Sequence, residues 1–204
     1  MIDPWDERYS TDEYVYGTAP NDFLREHVKD LPPNGRVLCL ADGEGRNGVF
    51  LAQQGMHVTS IDRSAVGLDK ARALAEQQGV RIETVVGDLA AVDLGVEQWD
   101  AIVSIFCHLP AAVRADLHQR VVRALRPGGV FLLEAYTPEQ LAHKTGGPPT
   151  VDLLMTADAL SAELHGLDVL LCREITRDIH EGRLHDGRSA VVQYIATSPK
   201  LSAS

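Results

Sequence analysis

The stretch VLCLADGEGRNGVFLAQQGMHVTSID, Val37–Asp62, decides the fold of this 204-residue chain. Its apolar run at 37–41 is typical of a strand buried on both faces of a parallel sheet. The glycine loop at 42–48 and the helix formers after it indicate a turn into a helix, and Gly55 marks where that helix ends. A second apolar run ends at Asp62, whose carboxylate could accept two hydrogen bonds from a ribose diol. The stretch therefore predicts a nucleotide-binding βαβ unit.

The glycine spacing is compatible with a nicotinamide dinucleotide. Gly43, Gly45 and Gly48 satisfy G-x-G-x-x-G, and Asp62 lies 19 residues after Gly43. A small NAD(P)-dependent oxidoreductase is therefore one hypothesis for this chain.

The charge of the loop favours a different cofactor. Asp42 and Glu44 would lie where a pyrophosphate has to bind backbone amides, and Arg46 offsets only one of them. S-adenosylmethionine has no phosphate and carries a sulfonium cation and an ammonium group. An acidic glycine loop is compatible with that cofactor.

The order of motifs along the chain resembles the class I S-adenosylmethionine-dependent methyltransferases. Val37 to Asn47 occupies the place of the first glycine motif, and residues 85–89 end a third apolar run in an acid. Residues 99–106 and 125–133 are similar to the fourth strand and to the turn and fifth strand of that family. Within the family, residues 43–47 and 16–21 resemble small bacterial enzymes of the tellurite-resistance and thiopurine type.

The resemblance implies a Rossmann-like methyltransferase fold. This is an α/β fold, a doubly wound, mostly parallel seven-stranded sheet with helices on both faces and a C-terminal antiparallel hairpin. The residues themselves support the hairpin, because two strand-like runs at 167–178 and 188–197 flank a polar, glycine-bearing segment. We expect one domain over residues 1–204, with a lid segment at 1–20 and a disordered tail at 198–204.

The resemblance also implies a cofactor site at the carboxyl ends of the strands. Asp62 would hold the ribose hydroxyls and Asp88 the adenine amino group. The full predicted cofactor-binding set is Tyr16, Gly17, Ala41, Asp42, Gly43, Gly45, Arg46, Asn47, Asp62, Arg63, Asp88, Leu89 and Ile105.

Two positions depart from the pattern of that family. Cys39 stands where the family usually has an acid, and Ala41 where it usually has glycine. The amino-acid tail of the cofactor would then be held by different groups here. Asp42 could supply the missing charge.

The residues facing the methyl acceptor are predicted from position alone. His108 follows the fourth strand and could act as a general base, or it could be a histidine satisfied by backbone at the start of a loop. Tyr14, His185 and Arg188 are predicted to face the substrate; the alternative for His185, Arg188 and the nearby His180 is that they are solvated turn residues.

The amino-terminal segment is rich in aromatic residues. Trp5, Tyr9, Tyr14 and Tyr16 are four of the 11 aromatic residues in the chain. We expect either a lid that shields the methyl group from water or ordinary docking of a terminus on the sheet.

The composition of the chain limits the classes of substrate and partner that we expect. The 29 acids and 19 bases give a formal charge of −10, which disfavours nucleic acid as a substrate. The sequence has no apolar signal core and no run long enough to cross a bilayer, so we expect a cytoplasmic protein without a membrane contact. Three scattered cysteines indicate reduced packing residues, no metal-ligand spacing is present, and we expect a monomer.

Together these observations predict an enzyme, a methyltransferase that moves a methyl group from S-adenosylmethionine to a small-molecule acceptor by in-line displacement. S-adenosylhomocysteine would be the product. The alternatives are the NAD(P)-dependent oxidoreductase and a non-catalytic protein that binds S-adenosylmethionine. The sequence leaves the identity of the acceptor open.

Overall fold

A computed structural model describes residues 3–200 of the chain. Seven strands form one sheet in the order β3-β2-β1-β4-β5-β7-β6, and β7 runs antiparallel to both of its neighbours. The strands are β1 Arg36–Leu40, β2 His57–Asp62, β3 Glu83–Val86, β4 Trp99–Ile105, β5 Leu125–Tyr136, β6 Asp168–His180 and β7 Asp186–Thr197. The predicted mostly parallel sheet with a C-terminal hairpin is confirmed.

The helices lie before β1 and after β1, β2, β4 and β5, whereas residues 87–98, between β3 and β4, form no helix. They are α1 Pro4–Tyr9, α2 Asp22–His27, α3 Arg46–Gln53, α4 Ala65–Gln77, α5 Ala111–Ala124, α6 Gln140–His143 and α7 Ala157–Glu163. Side chains cap the first turns of α2, α4 and α7, because Asn21, Ser64 and Thr156 accept hydrogen bonds from the backbone amides of Leu24, Gly67 and Ala159. None of the helices between residues 3 and 200 combines the length and the apolar character that crossing a bilayer requires.

The apolar run of β1 is buried on both faces of the sheet, as predicted. Leu38 and Leu40 pack in the core under α5, whereas Val37 and Cys39 pack with Leu51 of α3 on the opposite face. Alternate side chains of a strand point to opposite faces, so a fully apolar strand requires a layer of helices on each side. This arrangement places β1 in the middle of the doubly wound sheet.

The loop between β1 and α3 is compact because its glycines allow close approach. Gly45 has a φ of +84°, and a Cβ there would lie 2.5 Å from the Cβ of Ala71 in α4. A side chain at this position would push the loop away from α4. The glycine therefore fixes how closely the loop and α4 meet.

The two chain ends lie partly outside the described residues. This holds for residues 1–2 of the predicted lid and for residues 201–204 of the predicted tail. Ser198, the first residue of that tail, donates a backbone hydrogen bond of 2.8 Å to Gly129 and accepts one of 2.9 Å from Gly128. Ser198 therefore continues the pairing of β7 with β5.

Candidate active site

A cavity of about 490 Å³ opens at the carboxyl ends of β1, β2 and β4. The loop after β1, the amino-terminal segment and the turn of the hairpin enclose it. The lining includes these predicted site residues: Tyr16, Gly17, Ala41, Asp42, Arg46, Asn47, Asp62, Arg63, Asp88, Leu89, Ile105, His108 and His185. The position is the one where open α/β sheets bind ligands.

Two of the predicted glycines support the cavity from behind instead of lining it. The amide of Gly43 donates a 2.9 Å hydrogen bond to Asp62, and Gly45 packs on α4. Gly43 has a φ of +54°, and a Cβ there would lie 2.6 Å from the hydroxyl of Tyr9. These glycines therefore act by shaping the loop.

Two of the predicted substrate-facing residues lie away from the cavity, which corrects their assignment. The hydroxyl of Tyr14 donates to the carbonyl of Lys70 at 3.1 Å, and its ring lies under the Lys70 ammonium. Arg188 is exposed on β7 and does not line the cavity. His180, which the alternative reading makes a solvated turn residue, is exposed and bonded to Asp186.

Asp62 ends β2 with its carboxylate at the wall of the cavity. Its two oxygens accept hydrogen bonds from the amides of Gly43 at 2.9 Å and Ser64 at 2.8 Å. Burial, with smaller effects from Asp42 and Asp3, raises the pKa of the Asp62 carboxyl to about 6. Each carboxylate oxygen keeps a further lone pair, so the group can still accept hydrogen bonds from a ligand.

Asp42 supports the glycine loop. Its carboxylate accepts a 2.6 Å hydrogen bond from the hydroxyl of Ser60 and two longer ones, 3.2 and 3.3 Å, from the amide of Gly48 in the first turn of α3. Burial raises the pKa of this carboxyl. The preceding residue, Ala41, has a φ of +51°, a left-handed conformation that costs a residue with a Cβ about 1–2 kcal/mol. The substitution of alanine for glycine is therefore strained at this turn.

Glu44 ties the amino-terminal segment to the loop. Its Oε2 accepts a 2.8 Å hydrogen bond from the amide of Val15, and its Oε1 lies 2.5 Å from the ammonium of Lys70. Lys70 in turn donates to the carbonyls of Thr11 and Glu13, at 2.9 and 2.6 Å. The loop acid is therefore neutralised by a lysine of α4 and by backbone amides, which the local sequence does not reveal.

A buried ionic network joins the loop to the hairpin. Arg46 in α3 forms a 2.5 Å ion pair with Glu181 at the turn of the hairpin. Glu134 of β5 is fully buried and accepts hydrogen bonds from Arg177 at 2.6 and 2.9 Å and from Asn21 at 2.7 Å. The amide of Asn21 also donates to Glu181 at 2.8 Å. The network fixes the hairpin over one side of the cavity.

The hairpin-side wall is the part of the lining formed by residues 106–109, 146–149, 153, 184 and 185. It contains histidines but no Asp, Glu, Lys or Arg. The ring of His185 lies 4.7 Å from Phe106 and 4.6 Å from Tyr16, centroid to centroid. Tyr136, behind this wall, stacks on Phe106 at 4.5 Å and on His108 at 5.6 Å. The wall is therefore aromatic and uncharged when its histidines are neutral.

His108 has one ring nitrogen engaged and one free. Its Nδ1 lies 2.8 Å from the carbonyl oxygen of Leu153, which can only accept, so Nδ1 carries the proton. Its Nε2 is buried without a hydrogen-bond partner among the described residues. Burial lowers the pKa of His108 to about 4, with Arg114 adding to the effect. The backbone therefore satisfies one ring nitrogen, as the alternative interpretation expects, while His108 also lines the cavity.

His185 is a second buried imidazole at the cavity. It is 8 % exposed, and its Nδ1 has no partner within residues 3–200. Burial and the nearby Arg46, His108 and Arg8 lower its pKa to about 3. The ring is therefore neutral at physiological pH.

Several lining residues were not among the predicted site residues. Trp5, Arg8 and Tyr9 of α1 line the cavity, as do Phe106 and the loop at 146–149. The clustering of aromatic residues near the amino terminus did indicate that α1 could lie at the site. No sequence signal assigns the loop at 146–149 to the site, because only the fold brings this loop next to the cavity.

Among known families, residues 37–129 match the one described as methyltransferase domain. The match begins in β1 and ends in the turn of β5, so it includes the glycine loop, Asp62 and Asp88.

Two curated relatives illustrate the range of similar proteins. The chain is 34 % identical over 115 residues to an uncharacterized methyltransferase of Bacillus subtilis, YbaJ, with 52 % of this chain and 44 % of that protein covered. It is 32 % identical over 140 residues to the tRNA 5-carboxymethoxyuridine methyltransferase of Escherichia coli, with 62 % and 53 % covered. The chain spans about half the length of these curated relatives.

Solved structures show the same fold at lower identity. TehB from Haemophilus influenzae superposes with a TM-score of 0.71 at 20 % identity, covering 95 % of this chain and 65 % of TehB. The N-methyltransferase NodS from Bradyrhizobium japonicum, solved with S-adenosylhomocysteine, gives 0.70 at 15 % identity, covering 96 % and 97 %. At these identities the likeness is one of fold.

Proposed function

Since this chain belongs to the class I S-adenosylmethionine-dependent methyltransferases, we propose that it methylates a small-molecule acceptor. The observation that carries the proposal is the cavity at the carboxyl ends of β1 and β2, with Asp62 at its wall. The cofactor, when bound, supplies a methyl group on a cationic sulfur and leaves as S-adenosylhomocysteine. The protein has to align the acceptor with that methyl group and exclude water, and alignment can contribute about 7–11 kcal/mol at best.

The donors and acceptors of the cavity fit this cofactor. Asp62 can accept hydrogen bonds from the ribose hydroxyls. Asp88 is exposed at the cavity, with one oxygen taken by the amide of Ala90 at 2.9 Å and the other open to the adenine amino group. Asp62 and Asp88, together with Asp42, suit a ligand with two cationic groups, whereas Glu44 is already paired with Lys70.

The charge of the chain and the enclosure of the cavity support a small molecule as the methyl acceptor. Relatives include enzymes named for tRNA and for sterols, so the family by itself leaves the acceptor class open. The formal charge of −10 disfavours RNA, because phosphate binding depends on basic surface. The cavity is enclosed by the amino-terminal segment and the hairpin, which supports an acceptor small enough to enter with the cofactor.

His108 is the residue that we assign to the acceptor proton. His108 lines the cavity, the bond from Nδ1 to Leu153 orients its ring, and its Nε2 has no hydrogen-bond partner among residues 3–200. Neutral imidazole at this position can accept a proton from the acceptor as the methyl group is transferred.

The segment at 1–20 acts in this proposal as a lid. Trp5, Arg8, Tyr9 and Tyr16 line the cavity, and Lys70 fastens the segment to α4. Side-chain contacts with Lys70, Glu44, Ser64 and Arg63 hold this wall without strand pairing, so it can open and close more readily than a strand of the sheet.

Asp62→Asn is expected to weaken binding of S-adenosylmethionine by about 10- to 100-fold, because the charged acceptor of the ribose diol is lost. Isothermal titration calorimetry measures the change. Asp168→Asn, at an exposed position at the start of β6, is the matched control and should bind as the unaltered protein does. Equal affinity of Asp62→Asn and the unaltered protein would remove Asp62 from the cofactor site.

The pH dependence of cofactor binding should reflect the ionisation of the Asp62 carboxyl. The pKa of Asp62 is about 6, so the ionised form prevails above that pH and is lost as the pH falls through it. Affinity should therefore be constant from about pH 8 to pH 7 and decline below about pH 6. The Asp62→Asn protein should lack this decline. Asp42 and Asp3, which also raise the pKa of Asp62, are left in place by the substitution.

Lys70→Met is expected to speed release of the cofactor about 3- to 10-fold, since the methionine cannot hold the carbonyls of Thr11 and Glu13. Stopped-flow displacement of S-adenosylhomocysteine measures the rate. Lys29→Met, at an exposed lysine after α2, is the control. Unchanged release from Lys70→Met would indicate ordinary docking of the segment in place of a lid.

We also propose that the enzyme is cytoplasmic and monomeric. Cys39, Cys107 and Cys172 are free thiols, and burial raises the pKa of Cys107 to about 12, which keeps it protonated and unreactive. Light scattering on the purified protein tests the monomer.

A further inference from the structure

One arginine of the cavity lining has no carboxylate partner among the described residues. It is Arg8, in the last turn of α1, and it is exposed, so that a ligand can reach it. Of the other two arginines of the lining, Arg46 is paired with Glu181 at 2.5 Å. Arg63 is paired with Asp3 at 2.7 Å. A ligand in the cavity therefore meets at Arg8 a positive charge that the described part of the protein does not neutralise.

Aromatic neighbours orient the guanidinium of Arg8. Its Cζ lies 4.5 Å from the centroid of the Trp5 ring, and its Nη1 donates a 3.1 Å hydrogen bond to the hydroxyl of Tyr16. This bond uses one of the five N–H groups of a guanidinium, so the others can bind both oxygens of a carboxylate.

The hydroxyl of Tyr16 can bind the same carboxylate. It accepts a hydrogen bond from Arg8, and it donates to no group among residues 3–200. Burial raises the pKa of Tyr16, so the hydroxyl keeps its hydrogen at neutral pH. Arg8 and Tyr16 together therefore offer N–H groups and an adjacent O–H to an anionic ligand.

Tyr16 also places this pair beside the hairpin-side wall. The centroid of its ring lies 4.6 Å from that of His185, which in turn lies 4.7 Å from that of Phe106. The wall itself contains no Asp, Glu, Lys or Arg. A molecule whose apolar body covers this wall can therefore direct an anionic end to Arg8 and Tyr16.

The amino-acid tail of the cofactor also ends in a carboxylate, but another arginine is closer to its expected place. The resemblance to the family puts the tail at the loop between β1 and α3. Arg46 begins α3 directly after that loop and lines the cavity. It donates through Nη2 to Glu181 and through Nη1 to the carbonyl of Ala19 at 3.5 Å, so further N–H groups stay available. Arg46 can therefore receive the tail, which leaves Arg8 for the acceptor.

We infer that the methyl acceptor carries a carboxylate, which Arg8 and Tyr16 bind while the remainder of the molecule lies against the hairpin-side wall. This inference rests on the proposed function and names the substrate class of the same site. Both residues belong to the segment at 1–20, so the bound acceptor also favours the closed position of the lid.

The first arm of the test measures binding of carboxylates to protein saturated with S-adenosylhomocysteine. Benzoate, phenylacetate and 3-phenylpropionate are the probes, each compared with its uncharged amide by ligand-observed NMR titration. We expect at least one carboxylate to bind the unaltered protein about tenfold or more tightly than its amide, and Arg8→Met to abolish this preference. Equal binding of every carboxylate and its amide, or a preference that survives in Arg8→Met, would overturn the inference.

The amides and two further variants separate the anion site from the packing of the lid. If Arg8→Met lost affinity for carboxylates and amides alike, it would act on the lid, and the inference would be wrong. Tyr16→Phe keeps the ring and should reduce the carboxylate preference about three- to tenfold; an undiminished preference would overturn the role of Tyr16. Arg81→Met, at an exposed arginine before β3, is the matched control and should keep the full preference.

The second arm determines whether Arg8 holds the tail of the cofactor instead. Calorimetry compares S-adenosylhomocysteine with its decarboxylated form, which keeps the ammonium group. Both should bind Arg8→Met within about threefold of their affinity for the unaltered protein. A loss of about tenfold or more for S-adenosylhomocysteine alone would assign Arg8 to the tail and overturn the inference. If S-adenosylhomocysteine did not bind the unaltered protein, the proposed function itself would fail, so the two failures are distinguishable.

Discussion

His108→Asn is expected to lower kcat by about 10²- to 10⁴-fold, the range typical of losing a general base. The asparagine amide can still donate to the carbonyl of Leu153, so the loop should stay in place while the accepting nitrogen is lost. Affinity for S-adenosylmethionine should change little, because His108 is not among the residues predicted to hold the cofactor. Transfer of a labelled methyl group to a confirmed acceptor, at saturating cofactor, measures the effect.

The pH profile distinguishes a base from a residue that only supports the loop. Because the pKa of His108 is about 4, the neutral base persists from about pH 8 down to about pH 6, and kcat should stay level across that range. An ordinary histidine would lose activity near pH 6.5. Full activity of His108→Asn, with the control His57→Asn, at an exposed position, also fully active, would exclude His108 as the base.

Arg177→Met is expected to lower the free energy of unfolding by about 3–5 kcal/mol, since it leaves the buried carboxylate of Glu134 without its cation. Glu134 is fully buried and bonded to Arg177 through both oxygens. Urea denaturation followed by circular dichroism measures the loss. Arg188→Met, on the next strand at an exposed position, is the control and should change stability by less than about 0.5 kcal/mol.

A second variant separates the charge from the packing. Glu134→Gln combined with Arg177→Met removes both charges and should recover part of the stability lost in the single variant. If the single variant were as stable as the unaltered protein, the network would not be the link between the loop and the hairpin.

The fold could be predicted because its signals are local. The apolar run of β1, the glycine loop and the caps at Asn21 and Ser64 each lie within a few residues of what they determine. Asp62 could be identified for the same reason, since it directly ends a strand whose place in the sheet follows from the βαβ pattern.

The interior of the site depends on partners that are distant in sequence. The charge of Glu44 was expected to face a ligand, yet Lys70 and the amide of Val15 neutralise it. Arg46 meets Glu181 across 135 positions of the sequence. Spacing rules report neighbours along a helix or strand, so they carry no information about such pairs.

The amino-terminal aromatic residues show most clearly which features of the site the sequence cannot predict. Their crowding indicated a wall over the site, and Trp5, Tyr9 and Tyr16 do line the cavity. Tyr14 was assigned to the substrate but packs under Lys70 instead. An irregular segment has no period from which the direction of a side chain could be inferred.

Calorimetric titration of the purified protein with S-adenosylmethionine, S-adenosylhomocysteine and NADH, side by side, shows which cofactor the glycine loop binds. We expect micromolar binding of both sulfur ligands, about −8 kcal/mol, and no heat from NADH. Binding of NADH without binding of either sulfur ligand would contradict the account and would assign the glycine loop to a dinucleotide.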